Sequence, residues 1–313
     1  IDEATIASKV DYKTGAVFAK YSPEELVSMF PEIEKLVNVR SHLISNISSE
    51  DLRFHHYNII AKEIQKEIKA GVDGIIITHG TDTLHYTAAA LSFLLEDLPI
   101  PVILVGAQRS SDRGSSDAAM NLICAVELIK QTDFAEVGIC MHKNMNDEMN
   151  VLLPGLKCRK LHSSRRDAFR AVNVEPYAEI DFRKRKVHIL NGRFRKRSNN
   201  KLKLKLFKED LKVGIIKVRP QMFAEEFKYY SKFDGLVIEG SGFGHIPLNV
   251  PDDKSKENNK IFTELKKVAS KIPVVMTTQT IFGRVNLNVY SPGRDLLDIG
   301  VLGNHLDMHP ETA

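Results

Sequence analysis

The chain has 313 residues, 43% of them hydrophobic, and a formal net charge of +4. This length allows one large domain or two smaller ones, and the hydrophobic fraction is sufficient for a substantial core. Because no apolar run reaches about 18 residues and the first residues form no apolar h-region, we expect no membrane span and no signal peptide, while the cysteine usage fits a cytoplasmic location. The three cysteines are odd in number and widely spaced, which argues against a disulfide framework or a zinc site.

Helix and strand patterns alternate through the first half of the chain. Residues 57–68 place apolar side chains on one helical face, and 74–78 form a short β-branched run typical of a buried parallel strand. Further patterns predict a helix after residue 83, a strand over 102–105, a helix from 118 and a strand over 137–141. Strands separated by helices of this length predict βαβ units and a parallel sheet.

The second half repeats this alternation after a basic, polar segment. We interpret residues 191–211 as a linker, because this stretch is basic and polar. The segments VGIIKV, GLVIEG and IPVVMTT then predict three strands, with helical patterns at 222–231 and 258–270. The fold class is therefore α/β, with a three-layer parallel-sheet domain over 1–190 and a second, smaller α/β domain over 212–313.

A basic run extends from Arg183 to Lys208, and it contains no acidic residue. A solvated, charged rim is the usual explanation for such a run. A contact with the phosphate backbone of a nucleic acid is the more specific alternative. The alternation LKLKL within the run also suits an edge strand guarded by lysines.

Two polar loops follow neighbouring strands of the predicted sheet, where ligands bind in open α/β folds. The first is His79–Thr83, which is rich in hydroxyls and carries one carboxylate. Its alternative role is only to cap the following helix. The second, at 107–114, follows the next strand along the same edge. Two such loops on one edge predict a polar cleft.

Several common catalytic signatures are absent from the sequence. There is no HExxH, Walker loop or GxSxG motif, and no metal site is predicted. The glycine-rich GSGFGH at 240–245 is interpreted as a tight turn rather than a nucleotide site. If the protein is a hydrolase, its nucleophile is a threonine, and aspartate and lysine handle the protons.

The THGTDT motif, with GAQR after the next strand, resembles the bacterial-type L-asparaginase/glutaminase family. Of the family's other signature, usually a TGGTIA-like string, only ATIA at 4–7 remains. Stretches at 5–17, 157–173 and 276–297 are similar to the branch formed by the D subunits of the archaeal-type glutamyl-tRNA(Gln) amidotransferase. This resemblance spans nearly the whole chain and implies an asparaginase-like fold.

The resemblance also implies a function. The chain would be a glutaminase- or asparaginase-type amidohydrolase that releases ammonia for the amidation of Glu-tRNA(Gln) to Gln-tRNA(Gln). It would hold no cofactor itself, because ATP and magnesium would be used by the partner, the E subunit of the amidotransferase. It would meet tRNA(Gln) only through that complex, and it would form a homodimer. Two alternatives remain: a free-standing L-asparaginase, and a catalytically impaired fragment that acts as a scaffold.

Site residues follow from the same resemblance, position by position. The implied catalytic residues are Thr5, Thr81, Asp82 and Lys160, and the implied substrate-binding residues are Ser49, Glu50, Tyr12 and Ala107. An amide is a poor electrophile, so an activated nucleophile is required. We favour Thr5 as the nucleophile and the other three catalytic residues as its activating set, although Thr81 could itself form the acyl-enzyme. Without the family match, Lys160 would be interpreted as a surface residue of a basic stretch.

The sequence departs from the family at its beginning. Asp2, Glu3 and Ala4 stand where glycines usually frame the nucleophile. The strand that precedes this motif, the small N-terminal barrel of the amidotransferase branch and the final helices of the family are not found in the sequence. We therefore expect the chain to be a fragment, in which the support of Thr5 is weakened.

Overall fold

The computed structural model describes residues 28–313 and two short strands, Ser8–Val10 and Val17–Ala19, which pair antiparallel. The predicted site residues Thr5 and Tyr12 lie outside the described residues. The chain divides into two compact units, Ile1–Glu209 and Asp210–Ala313. Every helix in the described part of the chain is too short or too polar to cross a membrane.

The first unit contains twelve strands and four α-helices within its described residues. The strands are β1 (Ser8–Val10), β2 (Val17–Ala19), β3 (Ile75–Thr78), β4 (Leu95–Glu96), β5 (Val102–Val105), β6 (Val137–His142), β7 (Met149–Pro154), β8 (Cys158–Lys160), β9 (Phe169–Ala171), β10 (Ala178–Asp181), β11 (Lys186–Ile189) and β12 (Lys203–Leu204). The helices are α1 (Pro31–Leu36), α2 (Phe54–Lys69), α3 (Leu84–Leu94) and α4 (Ala118–Gln131).

The main sheet of this unit has the order β11-β10-β7-β6-β5-β3. Strands β3, β5 and β6 are parallel, as the sequence predicts. The rest of the sheet departs from the predicted parallel arrangement, because β7 runs antiparallel to β6 and β10 runs antiparallel to β7. A short connection joins β6 to β7, and the β8–β9 hairpin lies between β7 and β10, so neither pair has the crossover helix that a parallel neighbour requires.

The sheet is covered on both faces, so the unit has three layers. Val102 and Leu104 of β5 belong to the apolar cluster formed with α2 and α3, whereas Ile103 and Val105 belong to the cluster formed with α4. All four residues of β5 are fully buried, which explains why the strand is a continuous apolar run instead of an alternating one. Each such side chain contributes about 1.5–3 kcal/mol through burial.

Most of the segment that we interpreted as a linker packs against the first unit. Phe194 packs with the cluster under α4, and Phe207 packs with the cluster under α2. The Arg197 guanidinium donates to the backbone oxygens of Asp73 at 2.6 Å and Ile129 at 2.7 Å. The division between the two compact units therefore falls between Glu209 and Asp210, near the end of segment 191–211. Scattered aromatic anchors in a polar stretch carry no periodicity, so the sequence pattern did not indicate this packing.

Within the described residues, six of the twelve lysine and arginine side chains in the basic run at 183–208 form ion pairs with acidic residues. Lys196 lies 3.1 Å from Asp133, Lys203 lies 2.8 Å from Asp97, and Lys205 pairs with Glu96. Strand β12 pairs antiparallel with β4, so part of the LKLKL stretch does form a strand. These exposed pairs are the charged rim that is usual for such a run, and each contributes little to stability.

The second unit has a smaller α/β fold. Its parallel sheet has the order β13 (Val213–Lys217), β14 (Gly235–Gly240), β15 (Val274–Thr278), and its helices are α5 (Ala224–Tyr229), α6 (Glu257–Ala269) and α7 (Ser291–Asp298). The three strands and the first two helices lie where the sequence predicts them. Phe227, Ile261 and Leu265 are fully buried in its core.

Candidate active site

Three of the predicted catalytic side chains meet beyond the carboxyl end of β3. The Lys160 amine nitrogen, Nζ, lies 2.9 Å from Thr81 Oγ1 and 2.6 Å from Asp82 Oδ1. Thr81 and Asp82 belong to the loop after β3, and Lys160 is the last residue of β8. The amine therefore touches a hydroxyl and a carboxylate together, which is an arrangement that can move a proton.

The three side chains differ in their access to water. Thr81 is 8% exposed, the Lys160 side chain is 9% exposed and the Asp82 side chain is 70% exposed. The hydroxyl and the amine are thus sheltered, while the carboxylate that balances the charge of the amine faces solvent. Because this carboxylate faces solvent, water partly screens its attraction to the amine.

His79 holds the loop from beneath. It is fully buried, with Nδ1 at 2.6 Å from the Gly80 backbone oxygen and Nε2 at 2.7 Å from Thr87 Oγ1 on α3. Burial lowers the pKa of His79 to about 4, although the bond to Gly80 opposes the shift. A neutral ring donates to the carbonyl and accepts from the hydroxyl, so both contacts are satisfied. The histidine fixes the turn that presents Thr81.

Thr83 has a role other than capping the next helix. It is the N-cap residue of α3, but its side chain makes no capping hydrogen bond. Its hydroxyl donates instead to the Ser49 backbone oxygen at 2.6 Å. Thr83 therefore ties the loop after β3 to the predicted substrate-binding pair Ser49–Glu50.

That pair begins a single 3-10 turn, Ser49–Asp51. Ser49 is buried, and its hydroxyl donates to Glu50 Oε2 at 3.5 Å, whereas Glu50 is exposed. A hydroxyl can donate a hydrogen bond to the carboxylate of an amino acid, and a carboxylate can accept one from its ammonium group. The two side chains are therefore suited to the two charged ends of an amino acid. The structure thus connects these two residues to the loop of Thr81 through a single hydrogen bond.

The loop after β5 packs directly against Thr81. A Cβ atom added to Gly106 would lie 2.8 Å from Thr81 Cγ2 and 3.2 Å from the His79 backbone oxygen. Only glycine allows this approach. The next residue, Ala107, is fully buried. The loop therefore forms one wall of the site, and its shape limits where the Thr81 side chain can lie.

Two buried residues that the sequence did not single out fix this wall. Asp117 accepts hydrogen bonds from the backbone N–H groups of Gln108 and Arg109, with distances of 3.0–3.1 Å. Asn121 donates to the Gly106 backbone oxygen at 2.8 Å. Both lie at the start of α4, where the sequence offered only a polar loop followed by an apolar helix. An acidic residue followed by asparagine four positions later is too common a pattern to indicate such a role.

Family models match both units of the chain. The model described as "Asparaginase, N-terminal" matches residues 4–194, and the "Glutaminase/Asparaginase C-terminal domain" matches residues 212–313. Together these matches cover most of the chain. They confirm the predicted resemblance and the fold class.

Individual relatives and solved structures agree with the family models. The D subunit of glutamyl-tRNA(Gln) amidotransferase from Methanobrevibacter smithii is 45% identical over 312 residues, which are 99% of this chain and 68% of that protein. The thermostable L-asparaginase from Thermococcus kodakarensis superposes with a TM-score of 0.82 at 28% identity, covering 99% of this chain and 87% of that one. A probable cytoplasmic L-asparaginase from Campylobacter jejuni gives a TM-score of 0.78 at 25% identity, covering 99% and 89%. The chain belongs to the asparaginase/glutaminase family and, within it, to the branch that contains the amidotransferase D subunits.

Proposed function

We propose that this chain releases ammonia from the side-chain amide of glutamine or asparagine and supplies it for the amidation of Glu-tRNA(Gln). The contact of Lys160 with Thr81 and Asp82 is the observation that carries the hydrolytic part. The names of the 45% identical relatives support the amidotransferase part.

Hydrolysis of the amide would proceed in two steps. The Thr5 hydroxyl oxygen bonds to the amide carbon, the carbon–nitrogen bond breaks, and ammonia leaves with the proton of that hydroxyl. A water oxygen then attacks the resulting ester, returns one proton to the threonine oxygen and releases the carboxylic acid. Thr81 and Lys160 carry the proton between these stages, and Asp82 stabilises the ammonium form of Lys160.

Substrate would be held at both ends. Ser49 and Glu50 bind the α-amino and α-carboxyl groups, with Tyr12 closing over them. The backbone at Ala107 contacts the amide that reacts. The tie from Thr83 to Ser49 supports this arrangement, because it fixes the distance between the gripping pair and the loop of Thr81.

The first test is ammonia release from glutamine and asparagine by the wild-type chain and by Lys160→Met. The variant should lose about 10²–10⁴-fold in kcat, the range for loss of a general acid–base group. Lys201→Met, which changes an exposed lysine, is the matched control and should keep its activity. A wild-type rate in Lys160→Met would reject the role of this lysine, and an inactive wild-type chain would instead favour a scaffold.

The second test identifies the nucleophile. A diazoketone analogue of glutamine alkylates the attacking oxygen, and peptide mass spectrometry locates the adduct. We expect it on Thr5. An adduct on Thr81, which lies 2.9 Å from the Lys160 amine, would reverse the roles of the two threonines.

The third test concerns the partner. We propose that a homologue of the amidotransferase E subunit uses ATP and magnesium to activate Glu-tRNA(Gln), while this chain acts in the cytoplasm as a homodimer. Mixing both proteins should make formation of Gln-tRNA(Gln) depend on glutamine or asparagine and on ATP, and light scattering gives the oligomeric state. The likeness to solved L-asparaginases favours a free-standing enzyme as the second candidate. Fast hydrolysis with no partner in a pull-down would support it.

A further inference from the structure

One arginine connects the loop after Lys160 to two other loops around the site. Arg166 Nη1 donates to Asp147 Oδ1, and Arg166 Nη2 donates to the Ser115 backbone oxygen at 2.5 Å. The Arg166 side chain is 14% exposed. Asp147 lies between β6 and β7, and Ser115 lies between β5 and α4. We call Ser115, Asp147 and Arg166 the arginine bridge.

The bridge continues through buried polar groups to the wall that packs on Thr81. Asp147 Oδ1 lies 3.2 Å from Nε2 of the fully buried His142, whose Nδ1 lies 2.8 Å from Asn121 Oδ1. Burial lowers the pKa of His142, although the carboxylates of Asp117 and Asp147 oppose the shift. The same asparagine donates to the Gly106 backbone oxygen. A line of contacts therefore runs from Arg166 to the residue that touches Thr81.

Asp147 is held in its ionised form by these neighbours. Burial by itself raises the pKa of Asp147, but the hydrogen bonds to His142 and Arg166 outweigh it and lower the pKa below its ordinary value. A carboxylate between a guanidinium and an imidazole is the charge-assisted type of hydrogen bond, which is shorter and stronger than a neutral one. The bridge is thus suited to hold a loop in place.

The other hydrogen bonds and ion pairs of this loop are local. The Leu161 N–H donates to the Ala168 oxygen at 2.7 Å and closes the base of the loop. Within it, His162 accepts from the backbone of Ser164 and Arg165, and Arg165 pairs with Asp167. These bonds give the loop its shape, whereas Arg166 reaches residues 19 and 51 positions away.

We propose that Arg166 and Asp147 are positioning residues, which hold segment 161–168 so that the preceding Lys160 amine stays within reach of Thr81. This inference rests on the proposed function, because it assigns the bridge to amide hydrolysis. A displacement of about 1 Å at a reacting group can cost about 10²-fold in rate. The bridge acts on the position of Lys160 and makes no contact with the reacting atoms.

The test is a double-mutant cycle on ammonia release. Arg166→Met should lower kcat by about 10–10²-fold and change KM little, since the substrate-gripping pair lies on another segment. In the Lys160→Met background the same change should have almost no further effect, because both act through one amine. Arg166→Lys keeps the charge toward Asp147 but loses the forked contact, so it should restore part of the rate.

Arg183→Met is the matched control. Arg183 is an arginine with a 75% exposed side chain, 3.5 Å from Glu148, the residue next to Asp147. It should leave kcat unchanged in both backgrounds. Equal losses from Arg166→Met with and without Lys160 would overturn the inference, and so would an unchanged kcat in Arg166→Met.

Hydrogen exchange separates failure of this inference from failure of the proposed function. Arg166→Met, but not Arg183→Met, should speed exchange of the amides at 161–168, while protection of β5 and β6 stays at the wild-type level. If the wild-type chain releases no ammonia, the proposed function fails, and exchange alone decides whether the bridge holds the loop. Unchanged exchange at 161–168 overturns the inference in either case.

Discussion

The loops that follow β3 and β14 both leave the carboxyl end of a strand that pairs in parallel with its neighbour, yet they are stabilised in different ways. The loop at 79–83 bonds to distant segments, through Thr81 to Lys160 and through Thr83 to Ser49. The loop at 241–245 closes on itself, since the Ser241 and His245 backbones exchange two 2.9 Å hydrogen bonds. Gly242 and Gly244 adopt φ values of 52° and 100° there. This geometry confirms the prediction of a tight turn.

The difference shows that a position after a strand end does not by itself determine which polar side chains come together there. His245, in the second loop, has no hydrogen-bond partner for either ring nitrogen within the described residues, and its ring packs on Tyr290 at 5.1 Å. The first loop instead contacts Lys160, which lies on another strand, through Thr81 and Asp82. Thr278 and Asn286 bond to backbone oxygens of the second loop, but no lysine bonds to that loop within the described residues, so the two loops should respond differently to matched substitutions.

The largest expected contrast comes from removing one hydroxyl in each unit. Thr81→Val keeps the side-chain shape but removes the oxygen beside the Lys160 amine, so ammonia release should fall by about 10²–10⁴-fold. Thr278→Val removes a buried hydroxyl that donates to the Gly242 oxygen at 2.5 Å, and it should leave the rate per folded molecule near wild type. Steady-state kinetics with glutamine and asparagine measure both. Equal losses would mean that the two loops are functionally alike.

A second contrast uses glycines. In Gly106→Ala the new methyl would press on Thr81, so we expect about 10²-fold lower kcat and a stability loss of about 1–3 kcal/mol. In Gly244→Ala the methyl would lie 2.8 Å from Met276 Cγ, at a positive φ. That variant should lose comparable stability but keep its rate per folded molecule. Urea unfolding together with kinetics separates the effects, and an unchanged rate in Gly106→Ala would contradict the packing argument.

The third prediction is a pH dependence of stability at His79. Its pKa is about 4 in the folded chain and about 6.5 when unfolded, so the unfolded state binds more protons between these values. Acidification from pH 7 to pH 5 should therefore remove about 2 kcal/mol of stability through this residue. His79→Gln should flatten the unfolding free energy over this range. His188→Gln, at an exposed histidine, should not; equal slopes in all three proteins would refute the assignment.

The smallest effect should come from the tie between Thr83 and Ser49. Thr83→Val removes one hydrogen bond worth about 1 kcal/mol, so KM should rise by about fivefold while kcat changes little. Thr132→Val is the control, because it removes a bond of similar length to the Leu128 oxygen within a helix terminus. A change in kcat rather than KM would place Thr83 with the proton-carrying groups instead of the gripping pair.

Local patterns were sufficient to predict the parallel strands, the helices between them and the loop of Thr81. An apolar run followed by a hydroxyl-rich turn indicates a buried strand and a polar loop, and it can be recognised from a few neighbouring residues. The approach of Lys160 to Thr81 spans 79 positions and depends on the β8–β9 hairpin, which no local pattern indicates. Only the family resemblance singled out Lys160 in advance.

The antiparallel half of the main sheet was missed for a related reason. Most residues of β7 are apolar and buried, but the direction of the strand is set by its pairing with β6 and not by its own residues. The roles of Asp117, Asn121 and Arg166 were missed too. Each is a polar residue whose partners come from separate loops, so its structural role can be recognised only in the folded chain.

The pairing of Asn58 with Phe207 has a consequence for how the first unit is made. The Asn58 side chain donates to the Phe207 backbone oxygen and accepts from its N–H, both at 2.9 Å, across 149 positions. During synthesis, α2 emerges from the ribosome long before this partner, so the pair cannot form until the last residues of the unit are made. The slow step of folding should thus come late, and a chain cut before residue 207 should be a substrate for chaperones and proteases.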